Sequence, residues 1–256
     1  MNDSLAPVLQ MRRPDQATIH FVKEVANTGE HPLLATTTDG RDFWCKKYDH
    51  DAQGITVINE IVASEIGKII GAPVRDWAVI YVPSDFTGRV LGSNQFFSSL
   101  PMFGSLHIPN NSPNDQIIWA DRDGNYSRIP LLIALWHLCN ADDTQLIYDL
   151  EADAKIYSLD HGYWFGSWEG ARDFSEGMTL YEPLPALRGR IPVDDWEQAK
   201  SSLTALTGST VRYIPSMIPS EWDFQESEIM QMVDYAVSRV PYTIEILESY
   251  KQRYSL

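Results

Sequence analysis

The sequence predicts an α+β fold in two parts: an antiparallel sheet with one helix, then a mostly helical remainder. Three observations carry this. Alternating apolar and polar runs joined by turn signals fill the amino-terminal segment. Isoleucines at helical spacing follow them, and later a buried helix from Ile129, one hairpin and a helical stretch from Pro192 on complete the pattern.

In chain order, Thr18 to Val25 alternates as a strand, a turn follows at Asn27-Thr28-Gly29, and Pro32 to Thr38 forms a second run. Asp39-Gly40 is the strongest hairpin turn signal of the chain, and Arg41 to Tyr48 is the third strand. Ile58, Ile61, Val62, Ile66, Ile69 and Ile70 recur at spacings of three and four, with Gly71 as the helix stop. A strand from Trp77 to Tyr81 completes this part, residues 1–83. The segment from Ser84 to Asp123 is rich in Gly, Pro, Asn and Ser and reads as a passage between lobes with long loops. Ile129 to Leu138 is a buried helix with Pro130 near its start. Leu146 to Leu150 and Lys155 to Leu159 pair as a second hairpin. Helices are expected over Asp194 to Leu206, Glu226 to Val240 and Thr243 to Tyr254, which completes the second part, residues 84–256.

Hydrophobic residues make up 44% of the chain and charged residues 21%, an ordinary globular balance. The net charge of −15 argues against a surface built to grip nucleic-acid backbones, though not against one bound nucleotide. Cys45 and Cys139 lack paired spacing and read as buried, reduced thiols. No apolar stretch reaches the ~20 residues of a membrane helix, and the start lacks a signal-peptide core, so no membrane role and a cytoplasmic location are expected. The tryptophans lie among apolar neighbours and read as core residues, not as base-stacking platforms.

The charged residues form a pattern on this map. Lys46 and Trp44 share one face of the third strand, and Phe43 and Cys45 the other. Asp142 follows the buried helix, and Asp160 stands where the second hairpin ends at His161-Gly162. The hairpin between them should bring the two acids together. Two acids and a distant lysine suit phosphoryl transfer: one acid holds a metal, the other orients a hydroxyl, and the lysine neutralises phosphate oxygens. Capping acids, with Asp142 or Asp143 ending a helix and Asp160 closing a turn, are the structural alternative. No Gly-rich phosphate loop is present; Asn27-Thr28-Gly29-Glu30 is the only candidate at the right turn. His161 reads as structural.

The segments "DGRDFWCKKY", "NEIVASEIGKIIGAPV", "NADDTQLIYD", "IYSLDHGYWF" and "IPSEWDF" together resemble the HipA-like kinase family, in its compact branch without the extra amino-terminal domain. The resemblance runs from about Ile19 to Tyr250. It implies a two-lobed protein-kinase-like fold and an ATP- and magnesium-dependent kinase, with a protein serine or threonine as the expected acceptor. It assigns Lys46, over Lys47, to phosphate contact and Glu60 of "NEI" to positioning that lysine. Helical periodicity instead points to Glu65, which lies within the isoleucine stripe while Glu60 lies on the opposite face, but Glu60 is kept because a helix between two lobes can use both faces. The resemblance makes Asp142 the acid facing the acceptor and Asp160 the metal acid. Gln145 stands near the position of a second metal ligand, where most kinases have asparagine. Thr28, Gly29, Tyr81 and Val82 join Lys46 as expected nucleotide contacts. The missing glycines and altered ligand position keep two other readings open: a pseudokinase that binds a nucleotide or partner, and a kinase-fold nucleotidyltransferase.

Overall fold

The computed structural model describes residues 13–27, 31–50, 54–91, 95–167, 170–175 and 184–256. The first elements are β1 (Asp15–Val25), β2 (Leu33–Thr37), β3 (Asp42–Lys47), α1 (Ile55–Ile70) and β4 (Trp77–Tyr81). Short strands follow: β5 (Val90–Leu91), β6 (Gln95–Phe96), β7 (Met102–Leu106), β8 (Asn111–Asn114) and β9 (Gln116–Ile117). Next come α2 (Asn125–Leu138), β10 (Gln145–Asp149), β11 (Lys155–Leu159) and β12 (Ala186–Leu187). The chain ends with α3 (Val193–Ser202), α4 (Glu226–Ser238) and α5 (Val240–Tyr254).

The expected antiparallel sheet is part of a closed barrel in the order β1-β2-β3-β7-β4. β1 closes it by pairing in parallel with β4, Thr18 against Tyr81. The fifth strand, β7, comes from the segment expected to be a passage, and it sets Phe103 opposite both Lys46 and Val79. Gly104 is what permits this strand. A Cβ there would lie 2.4 Å from Ile80 Cγ1, so the strand fits only without a side chain at that point. The Asp39-Gly40 turn forms as expected, with Gly40 at φ 86° and the Asp39 carboxylate accepting from Thr37 Oγ1 at 2.6 Å.

Strand alternation divides the side chains between two cores. Phe43, Cys45, Ala78, Ile80 and Met102 fill the barrel. Trp77, Val79 and Phe103 point the other way, into a larger core shared with α1 and α2. Helix α1 lies between these layers and is buried on nearly every face, ending at Gly71 with φ 79°. α2 begins a turn earlier than its periodicity suggests. Asn125 anchors that turn, donating to Ala154 O at 2.8 Å and Trp119 O at 3.0 Å and accepting from Ile156 N at 3.0 Å. The hairpin of β10 and β11 packs beside α2, with β8 on the far edge of β10. Trp136, Trp164, Trp196 and Trp222 are core residues, whereas Trp119 is 37% exposed. Trp168 lies outside the described residues. Among the described residues no helix is long and apolar enough to cross a membrane.

His137, near the end of α2, is buried with neither ring nitrogen hydrogen-bonded among the described residues. Burial first, then the Arg239 charge, push its pKa down to about 4 from 6.5. Between those values the unfolded chain binds the proton and the folded ring does not, so stability is held above pH 6.5 and lost as pH falls toward 4. From pH 7 to 5 this group alone should cost roughly 2 kcal/mol. In urea unfolding at the two pH values, His137→Leu should lose correspondingly less stability than the parent. An equal loss would show that His137 does not drive the acid arm.

Candidate active site

Three elements converge on one lysine. Lys46, on the outer face of β3, places Nζ 2.8 Å from Glu60 Oε1 of α1 and forms an ion pair with Asp160 Oδ1 at the end of β11. Side-chain exposure is 11% for Lys46, 3% for Glu60 and 31% for Asp160, so only Asp160 opens appreciably to solvent. Burial raises the pKa of the Glu60 carboxyl; Lys46 works against that and Asp160 adds to it. Asp160 turns out of the strand in the left-handed region, with φ 59°. Gly162 then lets the chain pass α1, since a Cβ there would lie 3.2 Å from Thr56 Cβ.

The neighbouring His161 is buried, and burial pushes its pKa down to about 3, so the ring is neutral. Its Nε2 is 3.1 Å from Ser158 Oγ, its Nδ1 is 3.4 Å from Glu60 Oε2, and its ring centroid lies 4.3 Å from that of Trp164.

The choice between two glutamates resolves in geometry. Glu65, the acid on the isoleucine stripe, accepts from Trp77 Nε1 at 2.8 Å, Lys68 Nζ at 2.8 Å and Tyr213 Oη at 2.9 Å. It fastens the far end of α1 to the barrel and to the segment before α4. Glu60 is the one that meets Lys46. The stripe argument fails because α1 is buried on both faces.

Gln145 begins β10 opposite Leu159, which brings its Nε2 to 3.1 Å from Asp160 Oδ2 and 3.4 Å from Asp143 Oδ2. Asp142 is 6% exposed and accepts from Asp143 N at 3.0 Å; burial raises its pKa. The acid joined to Asp160 through a shared partner is therefore Asp143. Neither Asp142 nor Asp143 is among the residues lining the cleft described next.

That cleft holds about 410 Å3. Lys46, Glu60, Gln145 and Asp160 form one end, and Trp44, Phe103, Leu106, Ile108, Ile147 and Leu159 line the apolar remainder. Trp44 donates from Nε1 to His107 Nδ1 at 3.1 Å across the wall. Trp44 could have been found from sequence, standing two residues before Lys46 on the same strand face. His107 and Ile108 could not, because β7 itself was not recognised. Tyr81 and Val82 do not line the cleft: Tyr81 packs against the larger core and Val82 against the barrel core. Thr28 and Gly29 lie outside the described residues, although Ala26 and Pro32 on either side of that turn line the cleft.

Among the described residues no three His, Cys, Asp or Glu side chains gather as a metal cage. Asp160 and Gln145 offer one carboxylate and one amide. That sparse set suits a magnesium ion taking its other ligands from water and phosphate.

No protein-family model matches this sequence, and no curated protein matches it. Among solved structures the fold is similar to that of the Helicobacter pylori proinflammatory kinase CtkA, with a TM-score of 0.55 over 92% of this chain and 98% of that one, at 8% identity. It also matches the Golgi casein kinase, at a TM-score of 0.48, and the same kinase with Mn/ADP bound, at 0.49. Both are 12% identical and are covered over 93% of this chain and 75% of theirs. The likeness to CtkA shows a kinase-like fold.

The two glutamates should separate in urea unfolding. Glu65→Ala leaves the Trp77 and Tyr213 donors without their acceptor and should cost at least about 2 kcal/mol. Glu60→Gln leaves Lys46 paired with Asp160 and should change stability by less than about 1 kcal/mol. The reverse order would contradict these roles.

Proposed function

We propose that this chain is an ATP- and Mg2+-dependent phosphotransferase of the HipA-like kinase type, acting on a hydroxyl, with protein serine or threonine as the acceptor. One observation carries the proposal: Lys46 is held between Glu60 and Asp160 in a cleft whose lining also includes Trp44, Phe103, Leu106, Ile108 and Ile147. A planar base suits the apolar length, and phosphates suit the charged end. In this reading the barrel with α1 is one lobe and the helical remainder the other. With β7 in the barrel, this reading puts the crossing after β7, near His107 and Ile108, where the sequence alone suggested residue 83.

Each residue then has a task. Lys46 contacts phosphate oxygens, and Glu60 keeps it extended from β3. Asp160 and Gln145 would hold magnesium, which when bound supplies positive charge against the phosphate oxygens. Asp142 orients the acceptor hydroxyl, and its raised pKa makes it a better proton acceptor than an exposed carboxylate. Rate comes from positioning and charge neutralisation.

A specific contact favours a second assignment of the acid. Gln145 ties Asp143 to Asp160. Transfer from γ-labelled ATP to lysate proteins, with calorimetric binding of Mg·ATP measured alongside, distinguishes the two. Asp142→Asn should keep ATP affinity within a few-fold and lower transfer by about 10²–10⁴. Asp143→Asn should transfer nearly as the parent does, and a reversed pattern moves the role to Asp143. Asp160→Asn should abolish transfer while remaining folded. Label from α-labelled ATP would instead mark nucleotidyl transfer, and nucleotide binding without either label would mark a non-catalytic module.

A further inference from the structure

Asn59 stands one residue before Glu60 and has a separate network. Adjacent residues on a helix point about 100° apart, so the two side chains leave α1 on different sides. Glu60 faces Lys46. Asn59, fully buried, faces the loop that follows Asp160. Its Nδ2 lies 2.8 Å from Gly162 O, 2.9 Å from Trp164 O and 2.9 Å from Ser167 Oγ. Its Oδ1 accepts from Arg172 Nε at 2.8 Å, and Arg172 Nη2 reaches Ile55 O at 3.4 Å on the first turn of α1. The amide can face only one way. Flipped, it would set oxygen against two carbonyls and nitrogen against a guanidinium.

Arg172 makes this network costly. Burial pushes its pKa down to about 10, against the opposing charge of Glu228. Its two contacts to α1, with Asn59 Oδ1 and Ile55 O, run from the stretch after the loop through Asn59 back to the start of the helix.

We propose that Asn59 and Arg172 are positioning residues, a clasp that fixes Glu60 of α1 relative to Asp160 and thereby sets where Lys46 is held. The assignment of their effect on catalysis rests on the phosphotransferase reading above. The clasp itself is a statement about α1 and the loop. Gly162 is two residues from Asp160, and its carbonyl is the nearest acceptor of Asn59. The same glycine passes close to Thr56 of α1, where a Cβ would lie 3.2 Å from Thr56 Cβ. With the clasp open, Glu60 and Asp160 can move apart and Lys46 keeps only one of them.

Hydrogen exchange and a double-mutant cycle test this on the full chain. In Asn59→Ala, amides of residues 55–60 and 161–167 should exchange faster while α4 and α5 keep their protection. Arg172→Met, which keeps the Asn59 donors, should speed exchange in residues 55–60 and leave 161–167 protected. This milder variant keeps the test decisive if Asn59→Ala does not fold. Transfer from γ-labelled ATP should fall about 10–100-fold in Asn59→Ala. Because Asn59 acts through Glu60, Asn59→Ala should cost nothing further in a Glu60→Gln background. Unchanged local exchange, uniform loss of protection, or additive transfer losses would each overturn the clasp. If the parent transfers no phosphate, the phosphotransferase reading has failed, and exchange alone decides the clasp.

Discussion

The arrangement of this protein turns on one buried cation shared by two anions. Lys46 reaches Glu60 from one side and Asp160 from the other, and the three groups together carry a formal charge of one negative unit. Such a cluster is expensive away from water unless each charge is matched. Glu60 is buried, with His161 as its other neighbour, and burial raises its pKa. Asp160 is the more exposed carboxylate and the one an incoming cation can take. The site is thus biased toward a ligand that brings positive charge for Asp160 and negative charge for Lys46, as a metal–phosphate pair does.

Holding those three groups in register is the work of the surrounding fold. Barrel closure through β7 fixes β3 and with it the direction of Lys46. Helix α1 is tied at three places: Glu60 to Lys46, Asn59 to the loop after Asp160, and Glu65 to Trp77 and Tyr213. These ties reach the barrel, the loop and the helical part. The apolar contacts of α1 stabilise its position, and the polar ones select its rotation and height.

Much of this was legible in the sequence, and the failures have physical causes. Asp39-Gly40 announced its hairpin because a tight turn needs positive φ, and Gly71 announced the end of α1 for the same reason. β7 was invisible because Gly104 and Ser105 break its alternation, and the requirement for Gly104 comes from Ile80, far away in sequence. Tyr81 and Val82 were expected beside the nucleotide, whereas the strand that runs along this cleft is β7. α2 gained its first turn from tertiary bonds to Asn125 that no local pattern encodes. The helical stripe pointed to Glu65, but a stripe argument assumes one buried face, and Glu60 was expected because a helix between two lobes can use both; α1 is buried on more than one face. Lys46 and Asp160 were found because strand alternation and a glycine turn are local signals. Asn59 was quoted within a motif, but its role needed the loop in three dimensions.

The central claim is that the charged end of the cleft binds a metal–phosphate group through Lys46 and Asp160. Calorimetric titration with ADP, with and without Mg2+, tests it most directly on the parent and on Lys46→Met. The parent should bind ADP at least about tenfold more tightly with Mg2+, and Lys46→Met should lose at least about tenfold in affinity, which is 1.4 kcal/mol or more. Binding that is indifferent to both the metal and the lysine, or no binding at all, would contradict the account.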